Sequence, residues 1–281
     1  MTLLQRPDGA RRRRLPPGAS LRLGGAGVIV ATLVAFLVPP LLGLDATAAD
    51  PMKVLQPSSL DHPFGTDQQG RDILARVLIG MQISLLIGAA VSLVTFVVGM
   101  PLGILAAYSR PAEAVIMRVV DAAMSMPGIL LALALMEVIG PGLKNVLVVL
   151  IVIWTPLTIR MARGAALEVL SQDYIAAAVA SGSSLPSIIR WHVVRNAIDP
   201  VLVQQTIAFA GGILGEVTFS FVGAGVQPPS PSLGDVLADA QLNLSYAPWP
   251  VVLAGLVVVL LVLSIVLFGD GIRALFAIDQ D

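Results

Sequence analysis

The sequence contains no cysteine. That excludes disulfides, cysteine-ligated zinc and a thiol nucleophile, and it leaves the redox compartment unreadable. Charge is scarce as well: Asp, Glu, Lys and Arg make up 12% of the 281 residues, against roughly 25% in soluble domains. With a net charge of only -1 there is no concentrated basic face, so nucleic acid is excluded as a partner. No G-x-x-x-x-G-K-[ST] loop is present, so the chain does not bind ATP in the Walker manner, and no H-E-x-x-H zinc motif occurs. No nucleophile and base are assembled by any motif. The chain is expected to be neither an enzyme nor the holder of a metal or cofactor.

What is abundant is apolar surface. Hydrophobic residues are 56% of the chain, against roughly 45 to 50% in soluble domains. The chain reads as an all-α integral membrane protein with six transmembrane helices. Residues 1–23 are a basic tail carrying Arg11 to Arg14 and Arg22, and Gly24 to Leu44 is an uncharged run long enough to span, since about 20 apolar residues cross a bilayer core. It is read as a retained first span, because the apolar region of a signal peptide is about 7 to 15 residues. Residues 45–80 are polar and rich in turn formers, and residues 81–281 hold five further spans. These run from about Ile83 to Ala107, Ala114 to Val138, Val146 to Ile159 and on towards Ala162, Val201 to Val222, and Trp249 to Phe268.

Between the fourth and fifth of the six lies Ser171 to Pro200. It is flanked by membrane-grade runs, yet its Asp173, Arg190, His192 and Arg195 would be costly in hydrocarbon. The Ala-rich stretch to Ala180 favours a helix, Ser181 to Ser184 a stop, and Pro186 a new start, giving a helix, turn, helix loop. With Tyr174 and Ile175 expected to be exposed, so short a helix needs support from elsewhere. Asp121, about two turns in from the end of its span, is expected to be hydrated or paired with Arg118. Around Asp67, Arg71 and Asp72 a turn at Phe64 to Asp67 is expected to lead into an amphipathic interfacial helix with Arg71, Asp72 and Arg76 on its polar side, forming an ion-paired lip.

Several of these stretches share one resemblance. DYIAAAVASG, residues 173–182, and HVVRN, residues 192–196, resemble the EAA loop of ABC-importer permeases, in particular the dipeptide, oligopeptide and nickel family. HPFGTDQQGRDILARVLIGMQISLLIG, from His62, is similar to the HPFGTDxxGRDxxSRxxxGxRxSL signature of that family's C-type permease. SFVGAGVQPPSPSLGDVL, from Ser220, resembles LSFLGLGVQPPxPxWGxML, with Leu233 where Trp is usual. GDGIRALFAID, from Gly269, resembles a GDGLRDxLDP ending. The chain departs from the family pattern at Ala176, where Glu is usual, and at Arg195, where Pro is.

The resemblance implies the architecture of a type I importer permease in the bacterial plasma membrane. It also implies a second, B-type permease as heterodimer partner, cytoplasmic ATPase subunits (separate or fused) that hold ATP and Mg, and an external substrate-binding protein. Asp173, Tyr174, Ala177, Ala178 and Gly182 would form the ATPase-coupling element. Gly65, Thr66, Asp67, Gly70, Arg71 and Asp72 are the external signature. In the fifth span, Gln204, Gly211, Gly215 and Glu216 are the pathway candidates, although the glycines fit bilayer packing equally well. The cargo would be short peptides in the commonest case, with nickel chelates and glutathione open. A self-sufficient secondary transporter is the rival reading, to which an inverted repeat with midplane charges would point.

Cations decide the expected orientation. Thirteen arginines, at 6, 11 to 14, 22, 110, 118, 160, 163, 190, 195 and 273, flank one side. Lys53, Arg71, Arg76 and Lys144 flank the other. The positive-inside rule therefore puts both termini and residues 171–200 in the cytoplasm.

Overall fold

Apolar runs in lipid must satisfy their own backbone, which only helices and closed barrels can do, and this chain takes the helical route. The computed structural model describes residues 17–278; Arg6, the tetrad Arg11 to Arg14 and Asp279 lie outside them. The order is α1 (Pro17–Leu42), a 3₁₀ turn (Pro51–Lys53), α2 (Ile73–Tyr108), α3 (Arg110–Met124), α4 (Gly128–Ile139), α5 (Leu143–Leu170), α6 (Asp173–Ala180), α7 (Leu185–Ile188), a π turn (Ile189–Val193), α8 (Val194–Phe221), α9 (Leu233–Gln241) and α10 (Trp249–Ile278). Five stretches are long and apolar enough to cross a membrane, or six if α3 and α4 are one bent span.

α2 is the mast of the bundle. Its 36 residues extend about 54 Å at 1.5 Å each, well beyond a hydrocarbon core of about 30 Å. One apolar cluster joins its start to α1, α9, α10 and the end of α8. A second joins its middle to α4, α5 and α8. A third, at its Tyr108 end, joins it to α5, α6, α7 and the start of α8. Glycines let α2 and α5 touch: a Cβ on Gly99 would lie 2.7 Å from the Thr158 side chain, and one on Gly103 2.6 Å from both the Ala162 Cβ and the Ile159 carbonyl. Gly99 and Gly103, one turn apart on α2, thus both face α5. α1 packs on α10 by the same device, Gly24 lying against the Phe268 backbone.

Three expectations are corrected. The run from Ala114 to Val138 is not one straight helix: α3 and α4 meet at 90° across Ser125, Met126 and Pro127, because a residue preceding proline is pushed out of the helical region. The helix containing Arg71, Asp72 and Arg76 is no separate interfacial element. Asp72 caps the helix by accepting from the Ala75 N–H at 2.9 Å, and the helix from Ile73 runs unbroken into α2. Asp121 pairs not with Arg118 but with Arg160 of α5 at 2.7 Å, while Glu113 pairs with Arg163; the charged side of α3 is turned to α5.

Candidate functional site

The loop between α5 and α8 folds as helix, turn, helix. α6 begins with Asp173 in its first turn, where a carboxylate favours the positive end of the helix dipole. It ends in a Schellman motif: the Gly182 N–H donates to the Val179 carbonyl at 3.0 Å and the Ser183 N–H to the Ala178 carbonyl at 3.1 Å, with Gly182 at φ +80°. Glycine is the residue that meets this conformation without a Cβ penalty.

Contrary to expectation, Ile175 is buried, packing with Ala178 into the third cluster. That contact is the support the short helix requires. Tyr174 stays exposed at one edge; its ring centroid lies 5.8 Å from that of His192, and the Asn196 amide donates to its hydroxyl at 3.4 Å. Ala176, Ala177, Val179, Ala180 and all residues from Ser181 to Ser187 are exposed. The second helix does not stop at Asn196. From Leu185 to Phe221 the backbone is one helical run of 37 residues, passing through the π turn into α8.

On α8 the sequence candidates face inward. A Cβ on Gly211 would lie 1.8 Å from the Trp154 ring, and one on Gly215 2.3 Å from Leu150, so both let α8 sit on α5. A Cβ on Gly212 would lie 3.0 Å from the Gly88 Cα of α2. Gln204 is buried. Glu216 is 0% exposed; its carboxylate accepts from the hydroxyl of Ser84 on α2 and, at 2.9 Å, from that of Ser220. One position missed in the sequence is Gln205. Its amide donates to Thr158 of α5 at 3.3 Å and its carbonyl accepts from Thr95 of α2 at 3.0 Å, tying three helices at mid-span. Two neighbouring glutamines in an apolar run were the available signal.

At the other end of α2, residues 62–76 form a braced turn. Gly65 (φ +73°) and Gly70 (φ +72°) leave no room for a side chain, since a Cβ would lie 2.4 Å from the Gln56 carbonyl and 1.9 Å from the Asp50 carbonyl respectively. The Thr66 hydroxyl bonds the Lys53 carbonyl and accepts from the Gln56 N–H at 2.9 Å. Asp67 accepts from the N–H groups of Gln69 and Arg71 and from the guanidiniums of Arg71 and Arg76, both at 2.6 Å. Asp72 meets His62 Nδ1 at 2.7 Å. The ion-paired lip is therefore present, but Arg76 is buried in it rather than lying on a surface.

The lip has a member the sequence reading did not include. Asp239 of α9 pairs with Arg71 at 3.1 Å and Arg76 at 3.2 Å. Burial pushes its carboxyl above the usual range, against the lowering by Arg71. Asp235, one turn earlier, is pushed up to about 6, first by burial, then by the negative charge of Asp239, against hydrogen bonding from Ser232 that lowers it. The Ser232 hydroxyl also caps α9 by accepting from the Asp235 N–H at 3.0 Å.

A family model described as binding-protein-dependent transport system inner membrane component matches residues 99–277. A putative peptide transport system permease protein of Brucella suis biovar 1 is 38% identical over 261 residues, 93% of this chain and 88% of its own length. The probable D,D-dipeptide transport system permease protein DdpC of Escherichia coli is 35% identical over 270 residues, 95% of this chain and 91% of its own. Among solved structures, a chain of the MetNI methionine ABC transporter in inward facing conformations aligns with TM-score 0.57 and 25% identity, covering 70% of this chain and 95% of that one. Matched in this way across most of its helical bundle, the chain belongs to the family of inner-membrane components of binding-protein-dependent transport systems, as a multi-pass permease subunit of an ABC importer.

Proposed function

We propose that this subunit forms one half of a pathway for short peptides, beside a second, B-type permease, and that it takes its power stroke through α6. In this reading both termini and α6 are cytoplasmic and residues 45–80 are external, where a substrate-binding protein delivers cargo. ATP and Mg belong to the partner ATPase subunits, and this chain hydrolyses nothing. The peptide cargo is carried over from the relatives whose names state it.

The observation that supports the coupling role is the pairing of an exposed tip with a rigid shaft. Ala177 and the surface from Val179 to Ser187 are open, Ile175 fastens α6 to the bundle, and the helix from Leu185 continues to Phe221. When ATP binding closes the ATPases, a docked α6 moves with them and α8 must follow as a body. The exposed stripe of α8, Ile207, Leu214, Thr218 and Phe221, is our proposed pathway face. Gln204, Gly211, Gly215 and Glu216 set how that face is held on α2 and α5.

The test is Ala177→Arg in the reconstituted transporter. A guanidinium placed where an ATPase groove accommodates a methyl costs about 1 to 3 kcal/mol by overpacking alone. ATPase stimulation by peptide-loaded binding protein should therefore fall about tenfold or more, while the variant still inserts and melts like the parent. Unchanged stimulation and uptake would show that α6 is only a connector.

A further inference from the structure

At the end of the bundle away from α6, a cleft of about 320 Å³ lies between α9, the start of α2 and the loop that follows α8. Its charged lining is Arg71, Arg76, Asp235 and Asp239. Both arginines are already engaged, each reaching Asp67 and Asp239 at 2.6 to 3.2 Å. Asp235 is different. It shares the α9 face with Asp239, yet among the described residues no lysine or arginine pairs with it, and Arg71 acts on it only from a distance. Three carboxylates, Asp67, Asp235 and Asp239, thus stand against two guanidiniums, and the unmatched one lines an open cleft. Uncompensated charge in a partly desolvated site attracts its opposite more strongly than it would in water.

Arg76 supplies a second signal. It is 4% exposed, lines the same cleft, and its Nε has no hydrogen-bond partner among the described residues. The cleft lining thus carries an unused donor on Arg76 besides the unpaired charge of Asp235.

We propose that this cleft is a subsite for one organic cation, a primary ammonium or a guanidinium, seated on Asp235. Two sources carry that chemistry to the external face: the N-terminal ammonium of a peptide cargo, or a lysine or arginine of the binding protein. The choice of source rests on the orientation proposed above; the preference for a cation does not.

The absence of native cysteine permits a direct test in the intact transporter complex, held in nanodiscs so that both faces are open. Gln227→Cys places a thiol in the cleft lining. Its modification by 2-aminoethyl methanethiosulfonate and by the 2-sulfonatoethyl reagent is followed by mass spectrometry of the segment containing position 227. The cation-to-anion rate ratio should exceed that of a free cysteine peptide about tenfold. Adding Asp235→Asn should lower the ratio at least about threefold, and Asp235→Glu should retain it. A ratio equal to the free peptide's, or indifferent to Asp235→Asn, overturns the proposal.

Protection of the introduced thiol by millimolar tri-alanine but not by N-acetyl-tri-alanine assigns the cation to the peptide. Protection by peptide-loaded binding protein alone assigns it to a side chain of that protein. Protection by neither overturns the cleft as a receptor. If the ratio holds in nanodiscs but the thiol is unreachable from outside sealed vesicles, the proposed orientation fails and the cation subsite stands.

Discussion

Gly182→Val isolates backbone conformation from packing. A Cβ built on Gly182 meets nothing within 4 Å among the described residues, yet the residue sits at φ +80°, so the entire penalty is the left-handed conformation, about 1 to 2 kcal/mol for a residue with a Cβ and more severe in kind for a β-branched one. The eight residues of α6 fall below the roughly 12 to 15 at which an isolated helix becomes even marginal. Its C-terminal motif therefore has little reserve. A loss of about one to two kcal/mol multiplies the open fraction of the 178 to 183 turn about 5- to 30-fold. Amide exchange at residues 182 and 183, whose N–H groups close the motif, should accelerate by that factor, and ATPase stimulation by loaded binding protein should fall with it. Gly164→Ala is the control of opposite sign. It is also free of neighbours but lies inside α5 with a helical backbone, where alanine is favoured by about 0.5 to 1 kcal/mol. Unchanged exchange in Gly182→Val would refute the argument that this φ holds the turn. Faster exchange with intact stimulation would refute the docking of α6.

Gly103→Leu forces a side chain against the Ile159 carbonyl and the Ala162 Cβ and should destabilise the detergent-solubilised protein by about 1 to 3 kcal/mol, read as a lowered thermal midpoint. Asp67→Asn strips a carboxylate from two guanidiniums, one of them buried. Loss of one partner of a buried pair costs about 3 to 5 kcal/mol, with Asp239 holding the effect to the lower end; a midpoint equal to the parent's would show the lip to be ornamental. A cysteine at Ser58 should react with an impermeant maleimide from outside and one at Ser184 should not, reversed labelling sinking the orientation. The cation preference of the Gln227→Cys thiol should persist at neutral pH and fade as pH falls through about 6, because Asp235 becomes neutral there. Arg76 from α2, Asp67 and Arg71 before it, Asp239 on α9 and Glu216 on α8 face the same region, and the Asp235→Asn background separates their contribution.

The long helices were legible because lipid imposes one rule on every backbone group, and hydropathy alone places α1, α2, α5, α8 and α10. Gly182 was legible for a similar reason: a helix stop followed by serines leaves few residues able to take positive φ. The break at Met126 and Pro127 was masked because apolar residues continue on both sides of it. The ion pairs were less accessible still. Arg71 and Asp239 are 168 positions apart, and nothing local in either neighbourhood names the other. Arg118 was a natural partner for Asp121 at helical spacing, but α5 offered Arg160. Asp235 and Asp239 lie four apart after Ser232, which marks a capped helix, yet only the fold shows that the face they share meets α2.

The two ends of the bundle are connected by the same pair of helices, and this constrains how a stroke can travel. α2 and α8 run side by side, with Gly88 against Gly212 and Gln205 tied to Thr95, and they take part together in all three apolar clusters. Packed interiors shift between discrete arrangements and do not deform continuously. A displacement entering at α6 therefore moves the Val201 end of α8 with the Ile104 end of α2. It emerges where Glu216 meets Ser84 and where Arg71 and Arg76 grip Asp239. α9 is held there by charge to α2 and by close contact to α8, Gly234 lying against the Val217 carbonyl. The cleft lined by Asp235 and Asp239 cannot keep its shape if α2 and α8 slide relative to each other. If a cation seats on Asp235 and an ATPase docks on α6, as proposed, the two events are linked through one rigid pair, and by reciprocity an ATPase state that shifts the pair must also shift affinity for that cation.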